Sequence, residues 1–191
     1  MISLSKNPPI RFPDRLIEEA PHPWWVAKVK PRQEKALAFD LIELNVEYFL
    51  PMYTNVTRRP DNNKPRKSFL CLFPGYICFS ANRGEVSGLY KTSRIVKLLE
   101  VKNQNRFRKE ISQIYLALEN KLSIAPANNP MDYKEGEAVE VVRGPMRGMQ
   151  GKFLKMASCA RLVLSVEMLG SASVLIDASD VKPLTSSGAV S

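Results

Sequence analysis

The sequence predicts an α+β chain: an N-terminal domain with an antiparallel sheet flanked by helices, linked to a small C-terminal β-barrel. Two patterns and one break carry that prediction. Between residues 24 and 122, β-branched and aromatic runs alternate with two stretches of helical period. Between 135 and 184, short apolar runs are punctuated by Gly144, Gly148 and Gly151, the habit of a small barrel. The break is "SIAPANNPMDYKEG", with two prolines, two asparagines and few large apolar residues. The expected organisation is a leader at 1–21, partly disordered or lying on the surface, and a first domain at 22–123. A linker at 124–134, a second domain at 135–185 and a tail at 186–191 complete it.

Each element has a local reason. Trp24 to Val29 is aromatic and β-branched, which suits a strand. Pro31 then opens a helix where its missing N–H costs nothing. Ala36, Leu37, Leu41 and Leu44 follow on one face, and Asn45 ends it. Val46 to Tyr53 is a second strand, with Pro51 marking an edge or bulge. "TRRPDNNKPRK", Thr57 to Lys67, has five basic residues and one acid and reads as an exposed hairpin loop. Phe69 to Phe79 is a bent strand or strand pair broken at Pro74 and Gly75. Ile95 to Val101 is a short strand. Asn105 to Leu122 is a helix, with Phe107, Ile111, Ile114, Leu118 and Leu122 spaced by three or four. In the tail domain, strands are expected at 138–142, 151–156, 161–168 and 173–176.

Composition narrows the function. The chain has 191 residues, 45% of them hydrophobic, enough for a core. No run is long and apolar enough to span a bilayer or act as a secretory signal. Three cysteines without framework spacing suggest reduced thiols in a cytoplasm. There is no CxxC, and His22 is the only histidine, so neither a metal nor any other cofactor is expected. No Walker loop, dinucleotide fingerprint or nucleophile–base pair is present. A monomeric binding protein is the expectation, not an enzyme. The net charge is +9, and its location matters. Residues 1–133 hold 21 Lys/Arg against 13 Asp/Glu, and residues 134–191 hold 7 against 6. The excess lies in the first part, where Lys and Arg gain free energy by releasing counterions from a phosphate partner.

Two signatures now stand in order: strand, helix, strand, basic loop and "FPGYICF", then "GEAVEVVRGPMRGMQGKF" after a linker. Together they resemble the NusG family of transcription elongation factors, with an N-terminal NGN domain and a C-terminal KOW domain, over about residues 23–184. "YKTSRIVKLLEV", the long leader and the private basic loop depart from the general housekeeping factor. They are similar to specialised paralogues of the RfaH-like or polysaccharide-operon antiterminator kind.

The resemblance implies a mechanism. The NGN domain binds the clamp helices of RNA polymerase through an apolar pocket, keeps the clamp closed and suppresses pausing or termination. The KOW domain recruits a partner such as Rho or a ribosomal protein. By position, Tyr76, Cys78, Leu98 and Val101 form the pocket; the alternative is ordinary core, favoured for Leu98. Lys28, Lys30, Arg32, Lys35 and Arg94 would meet non-template or upstream DNA. Arg58, Arg59, Lys64, Arg66 and Lys67 on the loop would touch upstream duplex, or else form a solvated tip. Trp24 and Trp25 suit base stacking, but strand packing is the stronger reading. Arg143, Gly144, Arg147 and Gly148 form the KOW turn and partner surface. A related paralogue switches its KOW domain between helices and barrel; here the Val-rich segments favour the barrel and no switch. The competing function is a KOW-type RNA- or ribosome-binding protein acting in translation, which would want its charge on the second domain.

Overall fold

The computed structural model describes residues 7–127, 136–155 and 160–184. The chain divides into two compact units, Met1–Lys109 and Glu110–Ser191. In the first unit the strands are β1 (Arg11–Phe12), β2 (Trp24–Val29), β3 (Glu47–Phe49), β4 (Met52–Arg58), β5 (Pro65–Cys71), β6 (Tyr76–Ser80) and β7 (Ile95–Glu100). The helices are α1 (Glu34–Glu43), the short α2 (Arg83–Val86) and α3 (Gln104–Glu119), which crosses into the second unit. An antiparallel sheet runs in the order β1-β3-β6-β2-β7, and β4 and β5 form a separate two-stranded ribbon.

Burial explains this order. β2 and β6 are central and almost wholly buried, so they read as continuous apolar runs. One face of the sheet, with Trp25, Ala27, Tyr48, Ile77 and Phe79, packs with Leu37, Ala38 and Leu41 of α1. Side chains alternate along a strand, so Trp24, Val26, Phe49 and Cys78 take the other face, also buried. There Gln104, at the start of α3, accepts from the Trp24 N–H and donates to the Trp24 carbonyl, both at 2.8 Å.

Several boundaries differ from the sequence pattern, each for a physical reason. The helix expected from Pro31 begins at Glu34, because Arg32 takes a left-handed φ of 61° that breaks the turn. The strand expected over 46–53 divides at Pro51 into β3 and β4. The basic loop is shorter than 57–67, because Thr57 pairs with Arg66 and Arg58 with Pro65, leaving 59–64 as the connection. In the leader, β1 pairs with β3, and Ile17 and Ala20 are buried. Residues 1–6 lie outside the described residues.

The second unit holds β8 (Ile124–Pro126), β9 (Glu137–Val141), β10 (Gln150–Lys155), β11 (Ala160–Val166), β12 (Gly170–Ile176) and β13 (Val181–Pro183). They form one antiparallel sheet in the order β13-β9-β10-β11-β12-β8. The β-rich unit is consistent with a KOW domain. Residues 124–126, expected as linker, instead add a strand to β12. The last ten residues of α3 belong to this unit. Glu110 accepts from the Glu167 N–H and Gln113 from the Gln150 N–H, both at 2.7 Å. Residues 128–134, expected as linker, and the tail expected at 186–191 lie outside the described residues.

Candidate polymerase and nucleic-acid interface

The "FPGY" turn sits between the ribbon and the central sheet. Gly75 has φ +84°, a left-handed conformation that a side chain would strain. The Tyr76 N–H donates to the Phe73 carbonyl at 3.2 Å, closing the turn. The Gly75 carbonyl accepts from the Val29 N–H at 2.8 Å. The Gly75 N–H donates to Glu34 Oε1 at 2.7 Å, and Glu34 is buried in the first turn of α1. The proline–glycine break therefore ends the ribbon and launches β6 in a fixed direction. Glu34 escaped the sequence reading, because an acid in a first helical turn ordinarily signals only the helix dipole.

The four expected pocket residues do not form one patch. Tyr76 and Cys78 share a sheet face, as the period of two requires. Cys78 is buried at 1% exposure and Val101 at 4%. Leu98 pairs with Ala27, whereas Leu99 pairs with Val26 and Cys78 with Val26. Leu98 thus points to the opposite face, where it packs against the α1 core. What stays accessible is a cross-strand row in which Lys28 pairs with both Tyr76 and Lys97. Tyr76 is half-buried and both lysines are exposed. Lys97 was missed, since nothing in "RIVKLLE" marks its neighbour two strands away. Burial pushes the Cys78 thiol well up; it also pushes the Cys71 thiol up to about 11, with Glu34 adding to the effect.

The basic candidates separate into free and committed groups. Lys28, Lys30 and Arg32 are exposed. Arg94 donates from Nε to Asp40 Oδ2 at 2.6 Å and from Nη1 to Gln33 Oε1, which holds α1 to the start of β7. Lys35 Nζ donates to the Phe69 carbonyl and to Asn7 Oδ1, both at 2.7 Å. Trp24 and Trp25 are buried. The ribbon ends in a tight connection: the Arg59 N–H donates to the Lys64 carbonyl at 3.0 Å and the Asn63 N–H to the Arg59 carbonyl at 2.9 Å. Arg58, Arg59, Lys64, Arg66 and Lys67 are all exposed around it. Among the described residues, none of these five is in a salt bridge.

In the second unit, Arg143 and Arg147 are exposed beside Gly144 (φ 75°) and Gly148 (φ 89°). The turn is closed by the Gly148 N–H donating to the Val141 carbonyl at 2.8 Å.

Residues 22–115 match the family model described as transcription termination factor nusG. The chain is NusG-like over that stretch. It is a NusG-like transcription factor whose NGN domain carries the turn, the Tyr76 row and the ribbon. A comparison with curated proteins gave no match. No helix among the described residues is long and apolar enough to cross a membrane.

Proposed function

We propose that this NusG-like chain is an elongation or antitermination factor of the specialised, RfaH-like or polysaccharide-operon kind, acting in the cytoplasm as a monomer. It binds the polymerase clamp helices through the sheet end that carries Tyr76 and works by binding, not by catalysis. The observation that carries this is the Tyr76 row. A half-buried amphipathic ring beside two lysines, on a turn pinned by Glu34, suits a protein interface. Cys78 lies buried two residues further along the same face. Lys28, Lys30 and Arg32 lie at the strand-to-helix junction and, with the ribbon cations, face DNA around the transcription bubble. Arg94 and Lys35 serve by holding α1 and the ribbon in place. The Arg143–Gly148 turn offers a partner surface for Rho or a ribosomal protein.

Capture of polymerase core by the full chain, followed by single-round transcription, tests the reading. The expected result is direct binding with faster elongation or terminator read-through. Tyr76→Ala should weaken capture by about tenfold, as loss of a well-packed interface tyrosine does. Unchanged capture would remove the pocket assignment. The competing reading, an RNA- or ribosome-binding factor in translation, would show as ribosome retention without polymerase capture. The near-neutral charge of residues 134–191 weighs against it.

A further inference from the structure

A cavity of about 300 Å³ lies at the end of the sheet away from Tyr76. Tyr76 opens β6 and Ser80 closes it, roughly 13 Å further along the strand. Four segments wall the cavity: the leader with Pro13, Arg15 and His22, β3 with Glu47, the end of β6 with Ser80, and α2 with Glu85. The leader wall is pinned from behind. Ser80 Oγ donates to the His22 carbonyl at 3.0 Å. Arg108 of α3 donates from Nη1 to the Glu18 carbonyl and from Nη2 to the Ala20 and His22 carbonyls, each at 3.2 Å. The walls are therefore held in place by contacts that reach into the fold.

Glu47 is the group these walls leave unanswered. Its side chain is only 9% exposed, and Oε2 has no hydrogen-bond partner. Arg15 Nε stands 3.6 Å from Oε1, beyond hydrogen-bond reach. Burial raises the Glu47 pKa despite Arg15, His22 and Arg108. A buried carboxylate without N–H donors is costly. The terminal torsion of a glutamate is soft, so a small rotation turns Oε2 into the cavity. Glu85 is exposed and, among the described residues, in no salt bridge.

Charge and shape select the occupant. Two carboxylates and one guanidinium line the cavity, in a chain whose net charge is +9. An anion meets both acids, and a neutral group leaves the Glu47 charge unmatched. A cation with several N–H donors answers both needs. An ammonium is a compact, strongly hydrated charge that resists burial, whereas a guanidinium is weakly hydrated and spreads five donors over a planar fork. We propose that this cavity binds a guanidinium group, with buried Glu47 and exposed Glu85 as its acceptors, presented by an arginine side chain of a partner or by a free guanidinium compound. The site is separate from the Tyr76 row and does not rest on the polymerase reading.

NMR titration of the full-length chain with Nα-acetyl-arginine amide, and with agmatine, tests the proposal. Both should give saturable shifts at the amides of Arg15, His22, Glu47 and Glu85 and leave Lys28, Tyr76 and Lys97 unmoved. Tighter binding of the amide assigns the group to a peptide side chain, and tighter binding of agmatine assigns it to a free compound. Nα-acetyl-citrulline amide, the neutral isostere, and Nα-acetyl-lysine amide should each bind at least about tenfold more weakly than the arginine amide. Glu47→Gln keeps the side-chain size and removes the charge, and should also cost at least about tenfold. Glu85→Ala, at an exposed position, should cost roughly twofold to fivefold. Circular dichroism confirms that each variant is folded, and the citrulline comparison on the parent chain decides the matter even if Glu47→Gln unfolds. No saturable shift at these amides, equal binding of the citrulline or lysine amide, or unchanged affinity of folded Glu47→Gln would overturn the proposal.

Discussion

Glu34 and Gly75 form the contact on which the candidate site depends. The Gly75 N–H has its bond to a buried carboxylate, so Glu34→Ala leaves a partly buried donor without its partner. That should cost about 1–3 kcal/mol, read as a lowered denaturation midpoint. Gly75→Ala forces a side chain into a left-handed conformation and should cost about 1–2 kcal/mol, although open space surrounds the position. Glu47 behaves differently. It is buried on β3, with Arg15 Nε 3.6 Å from Oε1 and no hydrogen-bond partner for Oε2. Burial raises its pKa, against the lowering pull of Arg15, His22 and Arg108. The folded state therefore binds its proton more tightly than the unfolded state does. Its charged form weakens the fold as pH rises from the usual carboxylate value through the raised folded value. Glu47→Gln should remove that segment of the pH dependence, checked by thermal melts across the acidic range; an unchanged profile would place the buried charge elsewhere. These details were invisible in the sequence, where Glu34 and Glu47 look like ordinary surface acids.

Among the elements, the ribbon and the C-terminal sheet place different demands on their residues. The ribbon is a marginal element with solvent on both faces near its tip. Its register is fixed at the root by Met52 and Cys71, so charge substitutions at the tip should leave stability nearly unchanged. The C-terminal sheet is closely packed. A Cβ on Gly151 would lie 2.5 Å from the Val163 carbonyl oxygen across the β10–β11 pair. Gly151→Ala should thus destabilise the second unit by about 1–3 kcal/mol, an overpacking cost. Hydrogen exchange should show faster opening in β9–β11, with the β2–β6 pair unaffected. The same glycine was legible in the sequence as punctuation, but its reason is close strand approach in β10 and not a turn. Segments 150–155 and 160–166 are strands; the alanine and leucine of this stretch tolerate helix, and it was valine, as at Val163 and Val166, that favoured the barrel.

For the whole molecule, the partition at Lys109 and Glu110 within α3 matters to any test that separates the parts. Ser123 to Ala127 bond to β12, with Ser123 accepting from the Leu175 N–H at 3.2 Å and the Ala127 N–H donating to Ser171 at 3.0 Å. A C-terminal fragment cut at the expected linker end, after 134, would lose β8 from its sheet. A C-terminal fragment that begins at 135 should therefore be less stable than one that begins at 123, compared by urea denaturation. Equal midpoints would make β8 dispensable.

The sequence by itself determined the order of the main elements, the fold class and the NusG resemblance, but not β1 or β8. Those follow from local periods, turn residues and two motifs read along one strand of text. Tertiary structure decided which candidate residues meet. Tyr76, Lys28 and Lys97 become neighbours only through the β6-β2-β7 order, and Leu98 leaves the group because alternation sends it to the other face. Arg94 and Lys35 are occupied by Asp40 and the Phe69 carbonyl, partners 54 and 34 residues away. The reach of a basic run could be read from composition. Which side of the ribbon each side chain takes required the register, because a one-residue slip would have turned every one of them over.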